Sequence, residues 1–242
     1  MSSSSDKKTP PRFQQIVAAL RADILDGSLA EHNALPSERA LAEQYAVSRM
    51  TARRALESVE AEGLAYAKGR RGRFVSPQRL LYDISKTVSF AASTNGIDLK
   101  IDLIDAKTTT ASAALGSQLA IPAGEPIFEY TRLFRSRQHP VFLETEYVIA
   151  SRVPNFFAHD LRQSTSKLME TAYGIFAYSG DIAICLRSLA ADEAKYLEMA
   201  PNQAGIELAQ IINDASGTAF CLGRQIWRGE LAKFTAHAVL NP

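Results

Sequence analysis

The stretch Val47-Ser48-Arg49-Met50-Thr51-Ala52-Arg53-Arg54-Ala55-Leu56 decides the fold of the first part of this chain. Ser48 can cap a helix through its hydroxyl, and Gly63 is placed to end that helix after about residue 62. The apolar positions recur at the spacing of one helix face, at Ala52, Ala55, Leu56 and Val59. Arg49 and Arg53 are four residues apart, so the helix carries both on its outer face.

A shorter helix precedes this one in the stretch Leu35-Pro36-Ser37-Glu38-Arg39-Ala40-Leu41-Ala42. Ser37 can cap it, and the helix dipole favours Glu38 in its first turn. The connector Ala46-Val47-Ser48 joins the two helices tightly, and a further helix is predicted before them over residues 12–26. Two tightly joined helices, the second with arginines at its N-terminal end, are typical of a helix-turn-helix that enters the DNA major groove. A three-helix bundle with a charged outer face is the alternative.

A basic hairpin is predicted after the third helix. Residues 64–75 suggest two short strands, with Gly69 and Gly72 at the tip. Residues 66–79 contain no acidic residue and five basic ones, namely Lys68, Arg70, Arg71, Arg73 and Arg79. Such a hairpin, or wing, can place arginines on DNA phosphates or in the minor groove. For the charge taken alone, a solvated basic loop is the alternative.

The charge is unevenly divided along the chain. The 242 residues include 27 Lys or Arg and 26 Asp or Glu, a balance that by itself argues against a nucleic-acid partner. Residues 1–78, however, carry 12 basic and 9 acidic residues, an excess of three positive charges. Residues 79–242 carry 15 basic and 17 acidic residues, an excess of two negative charges. A small basic head on a body without net positive charge fits a DNA-binding protein.

No sequence signal indicates export or a membrane span. Residues 1–11 are polar, lack the apolar core of a signal peptide and are expected to be a disordered tail. No uncharged apolar run approaches the roughly 18 residues of a spanning helix, and Cys185 and Cys221 form no C-x-x-C pair. We therefore expect a cytoplasmic protein with free thiols. The histidines are too scattered to predict a metal site; they are His32, His139, His159 and His237.

A second domain is predicted over residues 84–242, after a short linker at 77–83. Helices are expected at 84–95, 111–119, 164–173 and 191–199, and strands at 99–104 and 182–189. Two hairpins are expected, 126–134 with 141–149 and 205–213 with 219–228. The pattern predicts an antiparallel α+β domain.

Residues 12–76 resemble the winged helix-turn-helix domain of the GntR family of bacterial transcription regulators. Besides the stretches 35–42 and 47–56, the resemblance covers Phe13-Gln14-Gln15-Ile16, Glu60-Ala61-Glu62-Gly63-Leu64 and Gly72-Arg73-Phe74-Val75. It implies that Arg49 and Arg53 read base edges, guanine being the natural partner of arginine, while Arg39 and Thr51 mainly contact phosphates. The whole implied DNA-binding set is Arg39, Ser48, Arg49, Thr51, Arg53, Arg70, Arg71 and Arg73. The family's wing reads Gly-x-Gly-Thr-Phe-Val, and here Arg70 stands in place of the first glycine and Arg73 in place of the threonine.

Residues 84–242 resemble the UTRA effector-binding domain of the HutC branch of that family, whose fold is that of chorismate lyase. The matching residues are Gly96, Leu115, Leu119-Ala120-Ile121-Pro122-Ala123-Gly124-Glu125-Pro126, Arg132-Leu133, Pro140-Val141-Phe142-Leu143-Glu144, Tyr173-Gly174 and Trp227-Arg228-Gly229. The resemblance implies a pocket between the sheet and its covering segments, with the residues Ser85, Thr87, Ser89, Arg132, Phe134, Glu144, Ser164, Ser166 and Arg224. Phe134 stands where the family has a second arginine, which Arg135 or Arg224 could supply, and Cys221 stands where an acid is common.

These residues lead to a functional hypothesis with stated alternatives. We expect a small anionic or zwitterionic effector, because a buried arginine binds a carboxylate, phosphate or phosphonate. Arg132 with Glu144 is alternatively a structural ion pair, Cys221 a small core residue and Trp227 a packing residue. We expect a homodimeric repressor without a cofactor, released from a palindromic operator of double-stranded DNA. A constitutive dimeric DNA-binding protein without an effector and a lyase-like enzyme are the alternatives, and fold alone does not decide between them.

Overall fold

The computed structural model describes residues 10–68, 71–77, 79–86, 90, 99–136 and 139–237. The chain divides into two compact units, Met1–Gln78 and Arg79–Pro242, which we call the head and the body. The strand β3 (Leu80–Asp83) belongs to the body, so most of the predicted linker at 77–83 is a paired strand rather than a linker. The predicted tail at 1–11 lies outside the described residues, apart from its last two prolines.

The described residues of the head form three helices and a two-stranded hairpin, as the sequence predicts. Its elements are α1 (Arg12–Leu25), α2 (Glu38–Tyr45), α3 (Arg49–Ala61), β1 (Ala65–Ala67) and β2 (Arg73–Val75). The second and third helices each begin at a serine whose Oγ accepts an N–H of the first turn, from Ala40 to Ser37 and from Thr51 to Ser48, both at 3.1 Å. The apolar faces of the helices meet in one core, which includes Ile16, Leu20, Leu41, Ala52, Leu56 and Val59.

Two turns set the directions of α3 and the wing. Ala46, which ends α2, has a left-handed backbone with a φ of 51°, a conformation that costs a residue with a side chain about 1 kcal/mol. Gly72 has a φ of +104°, which L side chains rarely adopt. The two wing strands pair antiparallel, with Ala65 opposite Val75. The predicted hairpin is therefore present, and Gly69 and Arg70 near its tip lie outside the described residues.

The body is built on one six-stranded sheet with the strand order β4-β5-β6-β9-β8-β7, all neighbours antiparallel. The strands are β4 (Leu99–Thr110), β5 (Pro126–Ser136), β6 (His139–Ile149), β7 (Ser179–Ser188), β8 (Ala204–Asn213) and β9 (Ala219–Trp227). The helices are α4 (Ala113–Leu119), α5 (Thr165–Tyr173) and α6 (Ala191–Tyr196). Both predicted hairpins and the α+β class are confirmed, whereas the helix predicted at 84–95 lies mostly outside the described residues.

The two faces of this sheet carry different clusters. On one face, Phe142 stacks on Trp227 with ring centroids 4.1 Å apart, and further aromatic rings surround the pair. On the opposite face, α4 and α6 cover aliphatic clusters. A parallel pair formed by β3 and β10 (Ala232–Thr235) packs on the aromatic side, because Tyr82 of β3 stacks on Trp227. Neither of these two short strands is predicted by the sequence pattern.

Candidate functional site

The outer face of α3 presents the residues predicted to read bases. Arg49 and Arg53 are exposed one helical turn apart, and Arg53 Nε donates to Glu57 Oε1 at 2.9 Å. At the start of the helix, Ser48 Oγ and Thr51 Oγ1 are 2.9 Å apart. Exposed ion pairs of this kind contribute little to stability, so Arg53 can exchange its surface carboxylate for another acceptor at small cost. The face can therefore bind a polyanion without disturbing the core of the head.

Two other predicted DNA contacts differ in their surroundings. Arg39 is 72% exposed and lies 3.8 Å from Glu43. Arg73, by contrast, is held by two carboxylates, with its Nε 2.8 Å from Glu60 and its Nη1 3.6 Å from Glu38. The Arg73 side chain thus ties β2 to both α2 and α3, which gives it a structural role, and its contact with DNA stays a prediction. Arg71 is exposed, and Arg70 lies outside the described residues.

A cavity of about 570 Å³ opens in the body beside the N-terminus of α5. Its wall carries three predicted effector residues, Ser85, Ser164 and Ser166, together with Lys86, Lys167, Glu170 and Tyr178. Ser164 caps α5, and the buried hydroxyl of Ser166 has no hydrogen-bond partner within the described residues. A helix N-terminus beside two lysines favours an anion. Thr87 and Ser89, which were also predicted here, lie outside the described residues.

Arg132 and Glu144 form a buried cross-strand ion pair behind this cavity, and neither lines it. A second carboxylate joins them, because Arg132 Nη2 also lies 3.1 Å from Glu146 Oε1. All three residues are buried, since Arg132 is 2% exposed, Glu144 4% and Glu146 3%. The structure therefore supports the alternative of a structural ion pair for Arg132 and Glu144.

This network fastens the sheet to the segment that leads into α5. Arg132 Nη1 donates to the carbonyl oxygens of Leu161 at 2.8 Å and Gln163 at 2.6 Å. Thr165, in the first turn of α5, donates to Glu146. Because Ser164 and Ser166 of the cavity wall flank Thr165, the network sets the position of one side of the cavity.

The charge of Arg132 is balanced by neighbouring carboxylates of the protein itself. Burial raises the pKa of Glu144, an effect that Arg132 opposes and Glu146 reinforces. Burial alone would lower the pKa of Arg132, but Glu144 and Glu146 more than offset it and raise that pKa. Arg132 therefore stays charged, and its charge is matched by protein carboxylates before any ligand arrives.

Two predicted effector residues lie away from the cavity. Phe134 shares a face with Arg132, as strand alternation predicts, but its ring is buried in the aromatic cluster. Arg224 lies on the opposite face, where it lines a second cavity of about 430 Å³. Arg135 is not part of the Arg132 network either, since its Nε donates to Asp102 at 3.0 Å. Neither Arg135 nor Arg224 thus supplies the cation that is missing at Phe134.

Other members of the network are not among the residues predicted from the sequence, namely Tyr130, Glu146, Thr165 and Gln225. Glu146 could have been found, because a residue two positions after Glu144 lies on the same face of a strand. Gln225 is less obvious: it donates to Glu144 at 2.8 Å and accepts from Trp227 Nε1 at 2.9 Å. Trp227 is consequently a packing residue, and Cys221 is buried in the core, as their alternative interpretations state.

The described residues contain no helix long and apolar enough to cross a membrane. The same residues hold no group of three or more His, Cys, Asp or Glu that could bind a metal ion. Two histidines have evident packing partners, since His32 Nδ1 lies 3.0 Å from Tyr66 Oη and the ring of His159 packs edge-on against Tyr173.

Comparison with known proteins gives two family matches. Residues 12–75 match the model of bacterial regulatory proteins, gntR family, and residues 94–233 match the UTRA domain. The HTH-type transcriptional repressor NagR of Bacillus subtilis (strain 168) is 28% identical over 239 residues, which cover 95% of this chain and 96% of that protein. A probable fructoselysine utilization operon transcriptional repressor of Shigella flexneri is 26% identical over 79% of this chain and 80% of that protein.

Solved structures share the fold. The crystal structure of PhnF from Mycobacterium smegmatis superposes with a TM-score of 0.64 at 24% identity and covers 93% of this chain and 100% of that chain. A putative GntR-family transcriptional regulator superposes with a TM-score of 0.58 at 19% identity, over 96% of this chain and 98% of that chain. The matching family and the named relatives are transcription regulators and not enzymes, which removes the lyase-like alternative.

Proposed function

The chain belongs to the GntR family of bacterial regulatory proteins and carries a UTRA domain, and from this premise we propose that it is a homodimeric, cytoplasmic repressor. It is a DNA-binding transcription regulator with an effector domain. In our proposal a palindromic operator binds both heads, and a small anionic or zwitterionic metabolite releases it without any further cofactor. The observation that carries the DNA-binding half is the exposed arginine face of α3.

This face suits the major groove. The N-terminal end of a recognition helix approaches the base edges, and Arg49 and Arg53 lie at that end of α3. Each could donate two hydrogen bonds to a guanine, with Arg53 leaving Glu57 to do so. Arg39, Thr51 and Arg71 would contact phosphates, which position the head without reading sequence. A two-fold dimer then reads an inverted repeat.

The cavity beside α5 suits the effector. Its anionic group would bind at the helix N-terminus between Lys86 and Lys167, with the hydroxyls of Ser164 and Ser166 as further donors. The ammonium group of a zwitterion would lie toward Glu170. Arg132 acts as a positioning residue in this proposal, because its hydrogen bonds hold the segment that begins α5 rather than the ligand.

Release requires that the effector bind two conformations of the dimer with different affinity. A ligand that draws the first turn of α5 toward itself would pull on Thr165, and through it on Glu146 and Arg132 of the central sheet. We propose that the conformation favoured by this shift is one in which the two heads no longer fit both half-sites together.

The DNA-binding half is tested with an operator selected from random duplexes by the full-length protein. Arg49→Ala combined with Arg53→Ala should weaken binding at least 100-fold in fluorescence anisotropy, because two base-reading contacts are lost. Arg21→Ala is the matched control, since Arg21 is an exposed arginine of the same head that pairs with Glu62 at the far end of α3. Unchanged affinity of the double variant would exclude α3 as the recognition helix.

The effector half is tested with a panel of sugar phosphates, amino acids and carboxylic acids. A true effector raises the melting temperature of the body by mass action and releases the operator at the same concentrations. Ser166→Ala with Lys167→Gln should abolish both effects, whereas Lys195→Gln on α6 should leave them intact. A panel compound that releases DNA equally from both variants would place the effector elsewhere, and stabilisation without release would favour a constitutive DNA-binding protein.

A further inference from the structure

The two edges of the central sheet are protected to very different degrees. Exposed strand edges invite pairing with another chain, and proteins usually guard them with charges, bulges or covering segments. The β4 edge has both a bulge between Leu103 and Asp105 and charges of both signs, at Lys100, Asp102, Asp105 and Lys107. The β7 edge, defined as Ser179–Ser188, has neither guard over its centre.

The centre of the β7 edge is an exposed apolar run. All four residues from Ala183 to Leu186 are exposed, and they read Ala-Ile-Cys-Leu. Ile184 is 43% exposed and Leu186 is 74% exposed. Four consecutive exposed apolar residues on a strand are a liability unless a partner covers them.

The backbone of the β7 edge is also ready for pairing. Leu189 N donates to Gln203 O at 3.0 Å in the pair that continues the β7–β8 register. Hydrogen-bonded residues alternate along an antiparallel strand, so the odd-numbered residues of β7 bond to β8. The N–H and C=O groups of Ile182, Ile184 and Leu186 therefore point away from β8, and within the described residues no second strand pairs with β7.

The β7 sequence is complementary to itself in the antiparallel direction. A two-fold axis through Ile184 places Ile182 opposite the partner's Leu186 and Ala183 opposite the partner's Cys185. The same axis places Asp181 opposite the partner's Arg187, and these are the two charged residues of the strand. Arg187 is held in place by Glu193 and Glu207, so its position next to the strand is fixed. The register pairs apolar with apolar residues and separates like charges.

We propose that two copies of this chain join their sheets edge to edge through β7, in antiparallel register about Ile184. The proposal rests on the homodimer of the proposed function and names the surface that forms it. Residues Ser179, Gly180 and Ile182 of the same strand line the effector cavity. Effector binding would therefore act directly on the strand that joins the two copies.

A disulfide tests the register. Directly opposite residues in a non-hydrogen-bonded antiparallel pair have Cα atoms about 4.5 Å apart, within the range that a disulfide requires. Ala183→Cys should therefore bond to the native Cys185 of the partner and give a covalent dimer on non-reducing gels after mild oxidation of the full-length protein. The wild type, whose two Cys185 residues are offset along the strands, and Lys107→Cys on the β4 edge should give none.

Charge tests the surface independently. Ile184→Lys and Leu186→Lys should each raise the dimer dissociation constant at least 100-fold in sedimentation equilibrium, and both positions are exposed enough for the monomer to stay folded, as Trp227 fluorescence reports. A dimer that resists both substitutions and does not cross-link at position 183 would overturn the β7 proposal while the homodimer stands. A wild-type protein that stays monomeric at every concentration would overturn the homodimer itself.

Discussion

The arginines of the head and the arginine at the centre of the body occupy opposite environments. Arg39 and Arg53 are 72% and 54% exposed, and each pairs with a single carboxylate one helical turn away. Arg132 is 2% exposed and donates to two carboxylates and two carbonyl oxygens. An exposed arginine keeps its charge for an incoming ligand, whereas a buried one must have its charge matched as the chain folds. Loss of the first kind should impair binding and spare folding, and loss of the second should do the reverse.

The strongest test of this comparison is Arg132→Met. The substitution leaves Glu144 and Glu146 buried without their cation, and breaking a buried pair in this way typically costs about 3–5 kcal/mol. Urea unfolding followed by Trp227 fluorescence measures the body alone, because Trp227 is the single tryptophan of the chain. Adding Glu144→Gln and Glu146→Gln should recover part of the loss, since the uncompensated charges are then removed. A loss below 1 kcal/mol in the single variant would show that the network is solvated and not a structural centre.

The pH dependence of the body's stability is a second test of the buried network around Arg132. Because burial raises the pKa of Glu144 above its ordinary value of 4.5, Glu144 takes up a proton more readily in the folded than in the unfolded protein. Its contribution to the free energy of unfolding is complete below pH 4.5 and is lost as the pH rises through the raised pKa, by up to about 1.4 kcal/mol per pH unit. Glu144→Gln cannot titrate, so its stability relative to wild type should increase over that window. A stability difference between Glu144→Gln and wild type that stays constant across this pH window would contradict the raised pKa of Glu144.

Ser48 combines the two roles, since it lies on the face that we propose binds DNA and also caps α3. Its Oγ accepts the Thr51 N–H at 3.1 Å, and removing such a cap costs about 1 kcal/mol. Ser48→Ala should accordingly speed amide hydrogen exchange in the first turn of α3, as mass spectrometry measures, and should weaken operator binding as well. Exchange in α1 provides the internal reference, and unchanged protection of α3 would mean that the cap is dispensable.

The smallest expected effect is that of Arg53→Ala on folding. An exposed pair such as Arg53–Glu57 contributes about 0.5 kcal/mol or less. The melting temperature, measured by the loss of helicity on heating, should therefore fall by no more than a few degrees. The operator affinity of the same variant should fall steeply. A loss of stability comparable to that of Arg132→Met would erase the distinction between the two environments.

Local patterns carried much of the prediction from sequence. The helix α3 was predictable because its cap, its apolar face and its terminating glycine all lie within one short segment. The strands β3 and β10 were not, because each has four residues and its partner lies about 150 positions away along the chain. The ion pairs of Arg73 were unpredictable for the same reason. The sequence shows that Arg73 is charged, but its partners Glu38 and Glu60 are distant along the chain and meet it only in the folded head.

The pairing of β3 with β10 sets the length of the tether, the stretch of chain that connects the last strand of the head to the first strand of the body. The last strand of the head ends at Val75 and the first strand of the body begins at Leu80, so four residues connect them. In the homodimer that we propose, the effective concentration of the second head, once the first is bound to its half-site, depends on tether length and falls when the tether is over-long. The C-terminal strand β10 keeps that tether short by holding β3. In the proposed dimer, loss of β10 would thus lower the avidity for the operator, with every arginine of the proposed DNA-binding face still in place.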